Sequence, residues 1–337
     1  MNAWRRTLAG MLMLVAATLL AAGAAHAVDK ITFATNWKAQ AEHGGFYQAL
    51  ADGTYAKYGL DVTIRAGGPQ SNERALLAAG RVDFVMGGNM NQAFSAVKEG
   101  IPTRAVAAIM QKDPQCFMTH PGQGLDTWES LKKTTLLVGK GGFNSFYQWM
   151  MAEWGFTEGQ VKPYTFNPAP FLADKRLAQQ GYVTAEPFAI ERQGGFKPNI
   201  FLLADYGYDT YATTIEARNE TIEKNPDLVQ RFVDASIIGW YNYLYGDNKA
   251  ANALIKTDNP DMEDAQIAFS IQKMKEYGII DSGDTVKLGV GAMTNERHKS
   301  FFNRMVKAKL VDPGMDYTKA YTLQFVSKGV GLNLRKP

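Results

Sequence analysis

Three side chains near the start of the chain, Asn36, Trp37 and His43, combine hydrogen-bonding groups with a flat aromatic face. They lie in the stretch 35–59, TNWKAQAEHGGFYQALADGTYAKYG, which follows the short apolar run 31–34. An amide and an imidazole can bind the polar edge of a small molecule, and an indole can stack on its face. The combination indicates a ligand-binding site.

A strand and a helix joined by a polar loop would position these residues. Residues 31–35 are rich in β-formers and 43–58 carry apolar side chains at helical spacing, so the strand should lead into the helix. The N-terminus of such a helix presents unpaired backbone N–H groups, and Gly44 would let a ligand approach closely. Simpler roles are also open: packing for Trp37, capping for His43, and close helix contact for Gly44.

The same stretch resembles a known family. The run TNWKAQAEHGGFYQALADGTYAKYGLDVTI and the later AAGRVDFVMGG are similar to the thiamine-pyrimidine-synthase-like family of periplasmic solute-binding proteins. That family includes binding components of ABC importers for thiamine-pyrimidine precursors, riboflavin, sulfonates and nitrate. The resemblance covers essentially the whole mature chain. It implies an α/β fold of the periplasmic binding protein type II class and a membrane permease as partner.

The first 27 residues have the pattern of a secretory signal. Arg5 and Arg6 form a basic start, residues 8–22 are apolar, and Ala-His-Ala at 25–27 is a cleavage motif. The apolar segment is short and alanine-rich, and no cysteine follows it for lipid attachment. We therefore predict cleavage before Val28 and a soluble periplasmic protein.

Composition limits the classes of function. The formal net charge of +3 falls to +1 once Arg5 and Arg6 are removed, and the basic residues are dispersed, so no nucleic-acid partner is predicted. Cys116 is the only cysteine, which excludes an intrachain disulfide and favours a structural role for this side chain. The mature chain is longer than one hydrophobic core normally serves. We predict a monomer with more than one domain.

Alternating strand and helix patterns divide the mature chain into two α/β lobes around mostly parallel sheets. Lobe I should comprise residues 28–111 and 210–337, and lobe II residues 112–209. Predicted strands cover 31–35, 60–64, 82–86, 104–110, 115–119, 135–138, 161–166, 182–184 and 199–203. Predicted helices cover 43–58, 72–79, 89–99, 127–131, 145–154, 171–180, 187–193, 226–245, 248–256, 262–277 and 295–309. Two hinge crossings, at 110–113 and 204–209, would allow the lobes to close on a ligand.

Glycine-rich loops follow several predicted strands. In lobe I these are 67–72, GGPQSN, and 87–91, GGNMN, where Gly68 and Gly88 would let a ligand approach the backbone and Ser71 or Asn89 would cap the next helix. Neither loop fits a nucleotide-binding motif.

The corresponding loop of lobe II is 139–145, GKGGFNS. Asn144 or Ser145 would cap the following helix there, and Phe143 would either close over a flat ligand or pack inside the loop.

Two further residues complete the predicted site. Glu186 follows a predicted strand of lobe II, where a carboxylate most often stabilises the start of a helix by about 0.3–1 kcal/mol. In the pyrimidine-binding members of the family a carboxylate near this position pairs with the amino edge of the ring, and Glu186 resembles that residue. Tyr208 lies at the second crossing with Tyr206 and Tyr211, where it would line the cleft floor or pack in the interface.

Three classes of function compete. A transport binding protein fits the export signal, the two lobes and the glycine-rich loops, with no catalytic residues assigned. An enzyme related to the thiamine pyrimidine synthase would give His43 a catalytic role, but the cysteine-rich metal motif of that synthase is missing from a chain with one cysteine and four histidines. A sensory protein would normally add a signalling domain or an anchor. We therefore predict a binding protein that uses no cofactor or metal.

The ligand class rests on the types of the site residues. Asn36, Trp37, His43 and Glu186 favour a flat heterocycle with donor edges, such as a thiamine-pyrimidine precursor, with stacking worth about 0.5–1.5 kcal/mol beyond burial. A sulfonate, nitrate or other small oxyanion bound by the loop amides is the alternative.

Overall fold

The computed structural model describes residues 28–69 and 71–336. The predicted secretory signal, residues 1–27, lies outside the described residues, as does Gln70 in the predicted loop 67–72. None of the helices among the described residues combines the length and apolar character needed to cross a membrane.

Five strands form a mixed sheet in lobe I. They are β1 (Asp29–Ala34), β2 (Leu60–Arg65), β3 (Phe84–Asn89), β4 (Thr103–Met110) and β10 (Ala212–Arg218), in the order β2-β1-β3-β10-β4. β1 is parallel to β2 and β3, whereas β10 is antiparallel to both of its neighbours. The strand that returns after lobe II is therefore inserted into the middle of the first sheet.

A second five-stranded sheet belongs to lobe II. Its strands are β5 (Gln115–Thr119), β6 (Thr135–Val138), β7 (Val161–Pro163), β8 (Leu177–Tyr182) and β9 (Asn199–Leu202), in the order β7-β6-β8-β5-β9. Segments 111–114 and 203–211 connect the two sheets. Two mixed α/β sheets joined by two crossings confirm the predicted fold class. The limits of each lobe stay a prediction.

Helices surround both sheets. They are α1 (Gly44–Ala51), α2 (Thr54–Lys57), α3 (Glu73–Ala78), α4 (Met90–Lys98), α5 (Lys140–Gly142), α6 (Gln148–Trp154), α7 (Ala169–Ala173), α8 (Glu186–Gly194), α9 (Asn219–Lys224), α10 (Pro226–Tyr245), α11 (Lys249–Asp258), α12 (Asp264–Glu276), α13 (Thr285–Leu288) and α14 (Asn295–Lys307). Phe143–Tyr147 forms a π-helical turn between α5 and α6. Short 3-10 turns lie at Ala41–His43, Trp128–Lys133, Glu158–Gln160, Leu203–Tyr206, Tyr317–Ala320 and Leu332–Leu334.

Two predicted elements of lobe II are wrong. The helix predicted at 171–180 ends at Ala173, and Leu177–Tyr182 forms β8 between β6 and β5. Of the predicted strand 182–184, only Tyr182 is extended, as the last residue of β8, and residues 183–184 lie in the turn that follows. Strand pairing to both neighbours outweighs the helical spacing of Phe171, Leu172 and Leu177.

Two corrections concern lobe I. Strand β10 was not predicted at all. It runs antiparallel to the other four strands of its sheet, as β5 does in the second sheet, so each mostly parallel sheet contains one antiparallel strand. The predicted loop 87–91 is also wrong, because β3 continues to Asn89 and α4 starts at Met90. The glycines of this segment lie in the strand, where Thr214 and Glu216 of β10 pack beside Gly87.

Helix α1 packs tightly on α10, and glycines make the close approach possible. A Cβ on Gly44 would lie 2.0 Å from the ring of Tyr243, and one on Gly45 would lie 2.2 Å from the ring of Trp240. From the other side, a Cβ on Gly239 would lie 2.2 Å from the carbonyl oxygen of Gly45. The start of α1 is therefore fixed against the core of lobe I.

His298 is a titratable group in that core. Its ring is 1% exposed and stacks on Tyr321 at a centroid distance of 3.7 Å, and neither ring nitrogen has a hydrogen-bond partner among the described residues. Burial, together with the neighbouring Arg297, lowers the pKa of His298 to about 3 from an ordinary value of 6.5. The folded protein therefore holds a neutral imidazole where the unfolded chain takes up a proton.

We expect His298→Phe to reduce the loss of stability on acidification. Below pH 6.5 the unfolded wild-type chain binds a proton at His298 that the folded chain does not, so the stability from this residue is lost as pH falls. The difference between pH 7 and pH 5 should be about 2 kcal/mol smaller in the variant. Urea unfolding of both proteins at the two pH values measures it, and equal pH differences would contradict the buried neutral imidazole.

Candidate ligand-binding site

Aromatic side chains from the two lobes meet where β1 and β7 end. Trp37, half-buried after β1, lies 5.0 Å from Phe166 between ring centroids, with the ring planes at 55°. Phe166 in turn lies 5.2 Å from Tyr164. The backbone of Phe166 has φ 62°, a left-handed conformation that is unfavourable for a bulky side chain. Phe166 was not among the predicted site residues, and its strained backbone is the structural sign that points to it.

A buried carboxyl group lies beside this contact in the sequence. Glu42, in the turn Ala41–His43, is 2% exposed and its Oε1 accepts a hydrogen bond from the hydroxyl of Thr184 in lobe II. The net pKa of Glu42 is raised to about 7. Burial is the main cause and the nearby Glu186 adds to it, whereas the hydrogen bond from Thr184 acts in the opposite direction. Glu42 was not among the predicted site residues, because only its pairing with Thr184 shows that it is buried between the lobes.

Glu186 is the first residue of α8, as predicted. Its Oε2 accepts a hydrogen bond from the backbone N–H of Tyr182 at 2.6 Å, and burial raises its pKa. The carboxylate also raises the pKa values of Cys116 and Tyr164, so these side chains lie close to it. Tyr164 also packs on Phe166, which in turn contacts Trp37, so Glu186 lies near the same aromatic group.

His43 is buried rather than exposed at the mouth of a cleft. It is 1% exposed, its Nδ1 has no hydrogen-bond partner within the described ranges, and burial lowers its pKa to about 3. Tyr243 of α10 is also fully buried, and its hydroxyl has no hydrogen-bond partner in the described part of the chain. Burial raises the pKa of Tyr243, and the nearby Glu42 adds to this effect. The close contact with Tyr243 explains why residue 44 is a glycine, which agrees with a packing role for Gly44.

Asn89 and Tyr208 form a hydrogen-bonded network at the first crossing. The side chain of Asn89 caps α4 by accepting from the N–H of Asn91 at 3.2 Å, and its Nδ2 donates to Asp113 at 2.8 Å. Asp113 is 2% exposed, and burial raises its pKa. Tyr208, fully buried at the second crossing, lies 3.5 Å from Asn89 between its hydroxyl and Nδ2. The network joins lobe I to both crossings.

The other two tyrosines near the second crossing have different surroundings. Tyr206 stacks on Trp128 of lobe II at a centroid distance of 4.1 Å, and Tyr211 donates to Asp284 of lobe I. Each of these contacts lies within one lobe, rather than in the interface between the lobes.

The capping prediction for the lobe II loop is wrong. Asn144 and Ser145 lie with Phe143 in the π-helical turn, so neither caps a helix that begins at 145. The helical run instead starts after Gly139, whose N–H donates to Gln180 at 2.8 Å. Ser145 donates to the Gly141 carbonyl at 2.9 Å.

The side chains of that turn differ in exposure. Asn144 is exposed, and Phe143 stacks on Tyr147 at 5.8 Å. A π-turn is rare and is often found at functional sites, so the segment stays a candidate for ligand contact with a changed geometry.

The remaining predicted site residues lie in lobe I. Asn36 and Gly68 are half-buried, and a Cβ on Gly68 would meet nothing within 4 Å. Gly88 is the next-to-last residue of β3, and a Cβ there would lie 2.6 Å from Oε1 of Gln92, so packing explains it. The cap of α3 is Asn72 rather than the predicted Ser71.

The lobes touch each other at the predicted site. Two surface grooves of about 540 and 300 Å³ involve none of the predicted site residues. Trp37 contacts Phe166, and Glu42 contacts Thr184. The two lobes are therefore in contact at these residues. Within the part of the chain that the structure describes, no three His, Cys, Asp or Glu side chains are grouped to hold a metal ion.

Comparison with known proteins identifies the family. The model of the family described as NMT1/THI5 like matches residues 40–251, which include the site residues from Glu42 to Tyr208.

Two curated proteins and one solved structure illustrate the range of relatives. The riboflavin-binding protein RibY of Chloroflexus aurantiacus is 24% identical over 311 residues, which cover 90% of this chain and 87% of RibY. The 4-amino-5-hydroxymethyl-2-methylpyrimidine phosphate synthase of Schizosaccharomyces pombe is 24% identical over 221 residues, 61% of this chain and 63% of the synthase. The periplasmic aliphatic sulphonate binding protein SsuA of Escherichia coli shares the fold with a TM-score of 0.62 at 13% identity, over 86% of this chain and 91% of SsuA.

Proposed function

The chain belongs to the NMT1/THI5-like family, and from this premise we propose that it is the solute-binding component of an ABC importer. Its ligand is a small flat heterocycle, such as a thiamine-pyrimidine precursor, bound between the two lobes. The protein acts as a monomer in the periplasm and delivers the ligand to a membrane permease, without nucleic acid as a partner. The fold shared with SsuA and the similarity to RibY support this class of function.

The observation that carries the ligand class is the chemistry of the buried acids. Glu42, Asp113 and Glu186 receive hydrogen bonds from Thr184, Asn89, Gln115 and Tyr182, and none from a lysine or arginine among the described residues. Carboxyl groups without a cationic partner need hydrogen-bond donors. A heterocycle with amino or ring N–H groups supplies them.

The same chemistry disfavours a small oxyanion. A sulfonate or nitrate would add negative charge beside acidic groups, and like charges repel strongly at a buried site. Arg74 of lobe I, which is partly buried, is already paired with Glu216 at 2.7 Å. The similarity to SsuA, at 13% identity, shows the fold alone.

An enzyme is the second candidate, because the S. pombe relative is named as a synthase. His43 corresponds to the residue for which the family resemblance implies a catalytic role. Its buried imidazole, with a pKa lowered to about 3, is a poor proton acceptor near neutral pH. We therefore propose binding without turnover, and formation of a new product from the bound ligand would refute this.

A thermal-shift screen of the purified mature chain tests the function. The candidate ligands are 4-amino-5-hydroxymethyl-2-methylpyrimidine, riboflavin, an alkanesulfonate and nitrate. A ligand at 100 times its dissociation constant should stabilise the protein by about 2.7 kcal/mol, which is a clear increase in melting temperature. Stabilisation by nitrate or the sulfonate alone would favour the oxyanion alternative.

We expect Trp37→Ala to weaken binding of the heterocycle by about 1–3 kcal/mol, because stacking and burial of the indole are lost. The melting temperature without ligand should change little, since Trp37 is only half-buried. Isothermal titration calorimetry measures the affinity.

Trp154→Ala is the matched control for this prediction. Trp154 is also half-buried, but it lies at the far end of the helical run that starts beside Gly139 and packs on Trp128. Its removal should leave the affinity unchanged. A much lower melting temperature for unliganded Trp37→Ala, with normal affinity, would show that Trp37 is only a packing residue.

A further inference from the structure

Two buried polar atoms beside the turn Ala41–His43 have no hydrogen-bond partner among the described residues. Glu42 itself is 2% exposed, and its carboxyl group accepts hydrogen bonds from the hydroxyl of Thr184 and from its own backbone N–H. Nδ1 of His43 and the hydroxyl of Tyr243 are buried and unpaired, in residues that are at most 1% exposed. Each atom could form a hydrogen bond that the described part of the protein does not supply.

Such atoms are costly to leave unpaired. A buried polar group without a hydrogen bond is rare in folded proteins, so these two atoms are candidates for contact with a ligand. The turn follows the loop after β1 and contacts lobe II at Thr184, so a ligand held there would lie between the lobes.

Glu186 is the second acid of this region. Its Oε2 accepts from the N–H of Tyr182, and the backbone N–H of Glu186 itself also stabilises the carboxylate. The carboxyl group is close enough to Glu42 to raise the pKa of the latter. One acid comes from each lobe, and neither accepts a hydrogen bond from a lysine or arginine among the described residues.

We propose that Glu42 is a second ligand-binding residue that acts together with Glu186. The two acids select an uncharged or cationic ligand that carries hydrogen-bond donors on two edges. The inference rests on the proposed function and deepens it. Thr184 positions the carboxyl group of Glu42, because its hydroxyl donates to Oε1 and its own carbonyl accepts from Ser270 of α12 at 2.7 Å.

The pair should discriminate strongly against phosphorylated ligands. A phosphate ester carries nearly two negative charges at neutral pH, and a buried pair of acids repels them. Rejection of the wrong ligand by unpaired or repelled charge is a common basis of specificity. The cleft should therefore bind a pyrimidine alcohol and exclude its phosphate ester.

Calorimetry with two probes tests the proposal on the mature chain at pH 8, where Glu42, with a pKa of about 7, is mostly ionised. The probes are 4-amino-5-hydroxymethyl-2-methylpyrimidine and its phosphate ester. Wild type should bind the alcohol at least 100-fold more tightly than the ester. Glu42→Gln should weaken binding of the alcohol at least tenfold and reduce the preference over the ester, because the substitution removes the negative charge. Glu186→Gln should have the same effect on both quantities.

Controls separate this effect from a change in folding. Glu191→Gln, on the same helix as Glu186 and 3.8 Å from Lys197, should bind both probes like wild type. If Glu42→Gln does not fold, Thr184→Val tests the role of Glu42 instead. This variant should weaken binding of the alcohol threefold or more, with little change in melting temperature.

Two results would overturn the proposal. Wild-type affinity and preference in a folded Glu42→Gln protein, or in Thr184→Val where Glu42→Gln does not fold, would overturn the role of Glu42 and leave the proposed function intact. Failure of the wild-type chain to bind any compound of the thermal-shift screen would overturn the proposed function and this inference with it.

Discussion

Replacing Arg74 with methionine is expected to destabilise the protein by about 3–5 kcal/mol, the range for breaking a buried ion pair by removing one partner. Arg74 of α3 binds Glu216 of β10 through two hydrogen bonds, from Nε at 2.9 Å and from Nη2 at 2.7 Å. The Glu216 side chain is 2% exposed, so the substitution would leave a carboxylate buried without a cation. The free energy of unfolding, measured in urea, should fall accordingly.

The double variant Arg74→Met/Glu216→Leu shows whether the unpaired charge is the cause. Replacing both partners by apolar side chains removes the buried charge, so much of the lost stability should return. Lys224→Met is the control at an exposed pair, Lys224 with Glu220 at 2.7 Å, and should give no measurable change. Equal stabilities for Arg74→Met and wild type would mean that water reaches Glu216 in solution.

Gly44→Ala is expected to destabilise the protein by about 2–3 kcal/mol, because the added methyl group overpacks the contact between α1 and α10. The new Cβ would lie 2.0 Å from the ring of Tyr243, which is fully buried and cannot move without shifting α10. Thermal or urea unfolding without ligand measures the loss. The result also decides between the two roles of Gly44, since a residue that served only to admit a ligand would tolerate alanine in the unliganded protein.

Gly141→Ala is the matched control for this variant. Gly141 is also a helical glycine, in α5, but a Cβ added there would meet nothing within 4 Å. Alanine is favoured over glycine in a helix by about 1 kcal/mol, so the stability should stay equal or rise. A similar loss in both variants would show that backbone freedom, and not the contact with Tyr243, explains the effect.

Local sequence signals predicted the elements whose stability is decided locally. The helix predicted at 226–245 has the same limits as α10, which begins at Pro226 and ends before Gly246. Proline at the first helical position and a polar or glycine stop are read directly from the sequence. Strands β5 and β6 were likewise placed at their observed limits, since both are short apolar runs.

Elements stabilised by distant partners were missed. β10, ATTIEAR, contains Glu216, which is acceptable in a central strand only because Arg74 pairs with it across 142 positions. β8 contains the buried polar residues Gln179 and Gln180, which are unusual for a central strand. Neither sequence has the apolar alternation from which a strand is normally predicted.

The candidate site shows the same division. Trp37, His43 and Glu186 were selected by residue type and by position near predicted strand ends. Glu42 and Phe166 were missed, because burial against Thr184 and contact with Trp37 depend on how the lobes meet. Contacts across the cleft depend on the tertiary structure, so no local pattern in a single sequence predicts them.

The position of β10 has a consequence for biosynthesis. β4 pairs only with β10 in the first sheet, and the paired residues Met110 and Ala212 are separated by the whole of the second sheet. A chain made from its N-terminus therefore presents β4 as an apolar strand with no partner, whereas β5 to β9 form a continuous segment that can pair as soon as it emerges. Unpaired apolar strands are the usual starting points of aggregation. Protection of the nascent chain should matter most during the interval between synthesis of β4 and of β10.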